Sequence, residues 1–272
     1  MTVQLGRPKQ LRLYAGRDSL PEREGCQKEM QVEKEDLTIL YEDNHLIVVV
    51  KPQNVPTQAD SSGDADLLSM VKAYVKEKYS KPGEAFIGLV HRLDRPTGGV
   101  MVFARTSKAA ARLGEQIKNG TFVKKYLAVT VGTPRDRAGR LTNWLVKDEA
   151  TNTVRIVPAK VNEAARMAVL DYKVLEERPP VCLIDVHLIT GRSHQARVQL
   201  AGLKTPIFGD ARYGGAIAKG HNLALWAYEL RFTHPTTGNA MVFKVFPPAD
   251  KEPWKRFPID RYINVSRPES RY

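Results

Sequence analysis

Cysteine is almost missing from this chain, whose 272 residues include only Cys26 and Cys182. Two distant cysteines without CxxC spacing exclude a disulfide framework and suggest no zinc site. Long hydrophobic runs are missing as well, since residues 46–50 have the length of a buried strand, not of a membrane span. Residues 1–16 are basic but lack the apolar stretch of a signal peptide. We therefore expect a cytoplasmic protein, monomeric, without a metal and without a membrane.

The chain also lacks the short motifs of common cofactor enzymes. It contains no G-x-G-x-x-G after a strand, no G-x-x-x-x-G-K-[ST] and no H-E-x-x-H, so no cofactor is expected. Acidic residues are the minority, with 30 Asp and Glu against 42 Lys and Arg, a net charge of +12. Such an excess favours a polyanionic partner. A membrane surface is the weaker alternative because no exposed basic amphipathic helix is evident, so nucleic acid is predicted.

Composition divides the chain into three regions. Residues 1–36 are first basic and then acidic with few large apolar residues, which predicts a poorly ordered tail. Residues 37–250 carry the regular apolar patterns of a folded domain. Residues 251–272 are basic and aromatic; Trp254 and Phe257 there would either stack on RNA or pack as an ordinary C-terminal segment.

Apolar periodicity predicts many strands and few helices. Helical spacing is found for residues 67–75, and a second helix is expected from an N-cap at Ser107 to Gly120. Strands are predicted at 37–41, 46–50, 86–90, 100–104, 122–131, 169–175, 181–189, 223–232 and 241–246. The fold class is therefore α/β of the mixed α+β type, with a central, mainly antiparallel sheet and flanking helices.

Residues 91–99, which read HRLDRPTGG, are the most unusual segment. Asp94 stands between Arg92 and Arg95, whose charges would keep the carboxylate ionised and able to act as a nucleophile. A structural ion pair or a helix cap would explain the same residues. The glycines that follow allow close approach of a backbone or a nucleotide.

Three later segments change the balance between these interpretations. They read KKYLAVTVG at 124–132, LITGRSHQARV at 188–198 and PIFGDARYG at 206–214. With residues 91–99 they resemble the RluA-type family of RNA pseudouridine synthases, whose signatures are H-R-L-D-R/K-x-T-S-G, K-x-Y-x-A-x-V-x-G and G-R-T-H-Q-I-R followed by P-I-x-G-D-x-x-Y-G. The likeness runs from about residue 37 to residue 248 in the same order. Gly98 departs from the usual Ser, and Ser193 and Ala196 replace the common Thr and Ile.

The resemblance implies a catalytic domain with an active-site cleft in its sheet, and three catalytic residues. Asp94 matches the catalytic aspartate; attack on C6, attack on C1′ and promotion of a glycal intermediate stay open. Tyr126 matches the active-site tyrosine, which would stack on the flipped base and could remove the C5 proton, although an isolated strand tyrosine is usually structural. Arg197 matches the arginine expected to pair with Asp94.

RNA contacts are expected from five further residues. By resemblance, Arg92 would fill the stack left by the extruded base, and Arg95 would contact a phosphate. The remaining candidates are Lys125, Arg192 and His194. The last two lie near a predicted helix start that favours a phosphate, although Ser193 there could be a plain cap and His194 a structural histidine. His91 is expected to shape the loop.

Three functions from different classes compete. The first is an enzyme that isomerises specific uridines to pseudouridine in an rRNA or tRNA stem-loop. The second is a non-catalytic RNA-binding protein of the same fold that acts in RNA folding or ribosome assembly. Intact Asp94, Tyr126 and Arg197 favour the enzyme. A glycosidase would need a pair of carboxylates, and only one stands out here.

Overall fold

The computed structural model describes residues 37–80, 82–214 and 220–263. The tail predicted at residues 1–36 and the last nine residues of the C-terminal segment lie outside this part of the chain. Eleven strands of the described residues form one sheet in the order β1-β2-β4-β10-β5-β9-β8-β6-β7, with β11 paired to β10 and β3 to β4. The strands are β1 Thr38–Glu42, β2 Leu46–Lys51, β3 Gly88–Leu89, β4 Gly98–Ala104, β5 Val123–Val131, β6 Ala138–Asp148, β7 Thr153–Val157, β8 Arg166–Arg178, β9 Val181–Leu188, β10 Leu225–Thr233 and β11 Ala240–Lys244. The predicted mixed fold with a mainly antiparallel sheet is confirmed.

Three α-helices accompany the sheet: α1 Leu67–Lys78, α2 Ser107–Lys118 and α3 Gln195–Gly202. The apolar spacing of α1 buries Leu67, Val71 and Val75. The predicted cap of α2 is wrong by one residue, because Thr106 accepts the N–H of Ala109 at 3.1 Å and Ser107 is already helical. Threonine takes this place because its extended backbone directs the hydroxyl at the free N–H groups of the first turn.

Two strands that the sequence did not indicate complete the sheet. Strand β6 has mostly exposed or half-buried residues and β7 is short, so neither shows a strong apolar pattern. Both are held by pairing: β6 lies antiparallel to β8 along eight residues and β7 pairs with β6. The predicted strand at 86–90 is reduced to β3, which pairs with β4.

A parallel contact between β4 and β10 brings the Asp94 loop to the middle of the sheet. Gly99 pairs with Ala227, which in turn pairs with Tyr126 of β5. A Cβ at Gly99 would lie 2.2 Å from the Ala227 carbonyl oxygen, and its φ of +129° is one that other residues rarely adopt. Glycine is therefore required where the Asp94 loop joins the sheet.

The departure at Gly98 has a packing explanation. A Cβ at Gly98 would lie 2.2 Å from ring carbon Cζ3 of Trp226, a buried residue of β10. In this chain the indole fills the space that a serine side chain would need, so overpacking is the consequence of adding one.

Gly98→Ser should therefore destabilise the protein by about 1–3 kcal/mol, although it restores the usual family residue. Urea denaturation would measure the change in the free energy of unfolding. In a Trp226→Leu protein, which lacks the indole, adding Gly98→Ser should lower the free energy of unfolding by less than it does in the wild type. Wild-type stability in Gly98→Ser would show that the ring moves aside freely.

The C-terminal segment packs on the domain. Trp254 is 2% exposed and Phe257 is 5% exposed, so these aromatics belong to the core and cannot stack on RNA. Tyr262 donates its hydroxyl to Glu176 at 2.7 Å. Of the two interpretations of residues 251–272, the packed one holds for the part that the structure describes. None of the described helices is long and apolar enough to cross a membrane.

Candidate active site

A cleft of about 1600 Å³ opens along the sheet where β4, β10 and β5 meet. One wall is the loop that joins β3 to β4 and carries Asp94. The floor includes Lys124 and Tyr126 of β5, and the opposite wall is the turn from β9 into α3. Four separate sequence motifs therefore converge on one concave surface.

Asp94 lies in the cleft with 27% of its side chain exposed, and its Oδ2 is 3.7 Å from Nη1 of Arg197. The expected pairing is present, but it is the weaker of two. Arg197 forms two hydrogen bonds of 2.8 Å with Asp210, a carboxylate with no exposed side-chain surface. Asp210 therefore fixes the guanidinium, and Asp94 approaches the side of the same cation while staying open to a ligand.

Lys51, at the end of β2, contacts the Asp94 loop through its ammonium group. Its fully buried ammonium donates to the carbonyl oxygens of Pro52 at 2.9 Å, Val55 at 2.6 Å and Arg95 at 3.0 Å. Burial lowers the pKa of Lys51 to about 7, and the negative charge of Asp94 opposes that shift. The sequence motifs predicted no role for Lys51; its one signal in the sequence is a lysine that ends an apolar strand directly before proline.

Tyr126 forms the floor beside Asp94. Burial raises the pKa of its hydroxyl, and the charge of Asp94 raises it further. The phenol is therefore protonated at neutral pH, while its ring is packed in the sheet. Tyr126 therefore presents a protonated phenol at the floor of the cleft.

Lys125, one of the predicted RNA contacts, does not line the cleft. Neighbouring residues of a strand point to opposite faces, and Lys125 lies 4.0 Å from Asp185 on the other side of the sheet. Lys124 lines the cleft in its place, mostly buried and without a hydrogen-bond partner among the described residues. Burial lowers the pKa of Lys124 and the charge of Arg192 adds to the effect. Gly191 leaves room for the ammonium, since a Cβ there would lie 2.9 Å from Nζ.

The two arginines that flank Asp94 differ in their surroundings. Arg92 is exposed at the cleft and has no hydrogen bond or ion pair within the described chain. Arg95 is engaged by an acidic turn: it bonds to Asp64 and lies 3.6 Å from Asp60. Arg92 is therefore unpaired and accessible at the cleft, whereas Arg95 would have to give up a carboxylate to bind a phosphate. His91 does shape the loop, since its Nε2 accepts the N–H of Val102 at 3.2 Å.

Helix α3 begins without a side-chain cap. Its N-cap residue is His194, which has a φ of +51°, so the interpretation of Ser193 as the cap is wrong. The turn is held by Gln195, whose Oε1 accepts from Thr190 Oγ1 at 2.7 Å and from the N–H of Arg192 at 3.0 Å. Arg192 and His194 both line the cleft as predicted.

The described residues contain no cluster of three or more His, Cys, Asp or Glu side chains that could hold a metal ion. The cleft instead places several cations around the partly open carboxylate of Asp94. The three predicted catalytic residues lie together, and three predicted RNA contacts surround them: Asp94, Tyr126 and Arg197, with Arg92, Arg192 and His194. Three further residues of the site had no predicted role: Lys51, Lys124 and Asp210.

Comparison with known proteins agrees with this geometry. A family model described as RNA pseudouridylate synthase matches residues 45–202. The chain is 34% identical over 218 residues to the uncharacterized RNA pseudouridine synthase YhcT of Bacillus subtilis (strain 168), covering 79% of this chain and 70% of that protein. It is 33% identical over 216 residues to ribosomal large subunit pseudouridine synthase C of Vibrio vulnificus (strain CMCP6), covering 77% of this chain and 65% of that one.

Solved structures show the same fold. Human RNA Pseudouridylate Synthase Domain Containing 4 superposes with a TM-score of 0.65 at 27% identity, covering 78% of this chain and 88% of that one. Human RNA Pseudouridylate Synthase Domain Containing 1 gives a TM-score of 0.64 at 25% identity, covering 79% and 85%. Because sequence, fold and relatives agree over the region that builds the cleft, the chain belongs to the RNA pseudouridylate synthase family, and the predicted enzyme class is confirmed at that level.

Proposed function

We propose that this protein isomerises specific uridines to pseudouridine in a structured RNA, with Asp94 as the nucleophile. The observation that carries the proposal is the open carboxylate of Asp94, held 3.7 Å from Arg197 beside the ring of Tyr126. The reaction breaks the N1–C1′ bond, turns the base and joins C5 to C1′, while C5 loses its proton and N1 gains one. It needs a nucleophile, a site for the C5 proton and space for an extruded base, and this cleft offers all three.

Base extrusion assigns a role to Arg92. An enzyme that works on a stacked base pays a few kcal/mol to remove it, and a side chain that occupies the gap lowers that cost. Arg92 is exposed and unpaired in the described structure, two residues before the proposed nucleophile. Lys124, Arg192 and His194 then contact the sugar-phosphate backbone, with Lys124 in the role first predicted for Lys125.

Tyr126 supports the flipped base and takes part in handling the C5 proton. Because the phenol is protonated, it can accept that proton only while it passes its own to another group, and Asp94 is the carboxylate whose charge acts on it. The ring supplies stacking, and the hydroxyl supplies the proton route.

Tyr126→Phe should therefore reduce turnover by about 10²-fold and leave RNA affinity nearly unchanged. Steady-state kinetics with 5-tritiated uridine in RNA, beside a filter-binding titration, would separate the two effects. Tyr126→Leu is the control that removes the ring as well and should weaken both. Full turnover in Tyr126→Phe would restrict the residue to stacking.

The substrate class is ribosomal or transfer RNA, and the place of action is the cytoplasm. Six of the relatives carry names of ribosomal large subunit pseudouridine synthases, which supports an rRNA stem-loop first. Pseudouridine mapping of total RNA from cells with and without the protein tests the proposal. Sites that vanish with the gene and return with it would support an enzyme; an unchanged map together with RNA binding would favour the non-catalytic alternative.

A further inference from the structure

Tyr213 connects three elements of the site although it is not in the floor of the cleft. Its backbone N–H donates to Asp210 at 3.1 Å, and its ring lies 5.2 Å from the guanidinium carbon of Arg197. Its hydroxyl is 2.8 Å from the backbone nitrogen of Val154 in β7 and 2.8 Å from Nδ1 of His194. The tyrosine therefore joins β7, α3 and the Asp210 turn through one oxygen atom.

The protons on these atoms can be assigned from their chemistry. A backbone N–H can only donate, so the Tyr213 oxygen is the acceptor from Val154. The one hydroxyl hydrogen is then directed at His194, and Nδ1 must be the acceptor. A neutral imidazole that accepts at Nδ1 carries its hydrogen on Nε2. The surroundings therefore select one tautomer of His194.

The other nitrogen of His194 is available to a ligand. His194 lines the cleft, and Nε2 has no hydrogen bond within the described residues. Since Nε2 is unpaired and yet not one of the buried polar atoms without a partner, it is exposed to the cleft. The left-handed backbone at His194 places the ring directly before the first turn of α3.

Burial favours the neutral form of His194, and the charged groups around it act in both directions, with Asp94 the strongest of them. Burial lowers the pKa of His194 most, and the cations Arg197 of α3 and Arg212 of the following turn lower it too. Asp94 on the facing loop and Asp210 act in the opposite direction. Protonation would in addition remove the acceptor of the Tyr213 hydroxyl.

We propose that Tyr213 is a positioning residue that fixes His194 as a neutral Nε2–H donor to a phosphate oxygen of the bound RNA. Phosphate oxygens accept hydrogen bonds and never donate them, so the other tautomer would turn a lone pair toward an anion. Arg192 and Arg212 line the same part of the cleft and add the positive charge that a phosphate needs. The RNA contact rests on the proposed function, whereas the tautomer is a property of the free protein.

The first test uses the free protein. Nitrogen-15 NMR of the histidine side chains, with the His194 signals assigned by their loss in His194→Gln, should show a neutral Nε2–H ring in wild type at neutral pH, with a pKa below that of an ordinary histidine. In Tyr213→Phe the ring should populate both tautomers and titrate at higher pH. A His194 spectrum that Tyr213→Phe leaves unchanged would overturn the positioning role, whether or not the protein modifies RNA.

The second test measures RNA affinity between pH 5.5 and pH 8. Wild type should bind with little change across this range. Tyr213→Phe should bind about 2-fold more weakly at pH 8, because only the fraction of rings with a hydrogen on Nε2 can donate, and recover toward pH 5.5, where a protonated ring again donates. His194→Gln keeps an N–H donor that does not titrate, so it and the double variant should show flat profiles. A Tyr213→Phe profile parallel to wild type, with only a lower melting temperature, would contradict the phosphate contact.

Discussion

Replacing Asp94 by Asn is expected to reduce turnover by roughly 10⁴-fold or more while RNA binding persists. Asparagine has nearly the same size and fits the same loop, but it is uncharged and a poor nucleophile. The RNA contacts proposed for Arg92, Lys124 and Arg192 are untouched by this change, so affinity should persist. Tritium release from 5-tritiated uridine measures the first quantity, and binding to the same RNA at the same salt concentration measures the second.

Stability distinguishes a catalytic Asp94 from a structural one. The carboxylate is partly exposed and only 3.7 Å from Arg197, which keeps its two hydrogen bonds with Asp210 when Asp94 is changed. Asp94→Asn should therefore change the free energy of unfolding by less than about 1 kcal/mol. Equal tritium release from wild type and variant would mean that Asp94 is an ion-pair partner and that the nucleophile lies elsewhere.

Local sequence patterns were sufficient for the elements that bury their own apolar residues. Strand β2 with its run of valines was predicted to within one residue, and helix α1 with Leu67, Val71 and Val75 was predicted from its first residue but ends three residues later than expected. Strand β6 was missed because its residues are mostly polar or half-exposed, and its conformation depends on pairing with β8. Pairing between distant segments cannot be read from either segment alone.

The same distinction applies to the site. The motif around Asp94 identified the loop, but the choice between Lys124 and Lys125 depends on which face of β5 turns to the cleft. Tyr126 belongs to the cleft face, and alternation would have assigned Lys124 with it. Asp210 was visible within a motif, yet its role requires the turn after α3 to fold back on Arg197.

Replacing Asp210 by Asn should be the most damaging change to stability near the cleft. The pair with Arg197 is almost fully buried, and breaking a buried pair by removing one partner costs about 3–5 kcal/mol, because the other charge is left uncompensated. Asp210 also accepts the N–H groups of Arg212 and Tyr213, so the turn would loosen. Urea denaturation of the wild type and the variant measures the loss.

Asp94→Asn is the matched control, since both acids face one guanidinium. If burial and the two hydrogen bonds to Arg197 determine the stability of this pair, Asp210→Asn should lower the free energy of unfolding by several kcal/mol and Asp94→Asn should hardly change it. Turnover should fall in Asp210→Asn as well, by about 10- to 100-fold, because Arg197 would be free to pair fully with Asp94 and block the nucleophile. Similar stability losses in the two variants would contradict this division of roles.

The stability difference between wild type and Asp210→Asn should also depend on pH in a predictable direction. Burial alone would raise the pKa of Asp210, but the hydrogen bonds and charge of Arg197 outweigh it, with help from two backbone N–H groups, and the pKa is lowered. A carboxylate with a lowered folded-state pKa stabilises the fold above its unfolded pKa of about 4 and loses that contribution as the pH falls through the folded value. The stability gap between wild type and Asp210→Asn should therefore be constant from pH 6 to 8 and narrow below about pH 4. A gap that stays constant into acid would mean that Asp210 acts through its shape alone and not through its charge on Arg197.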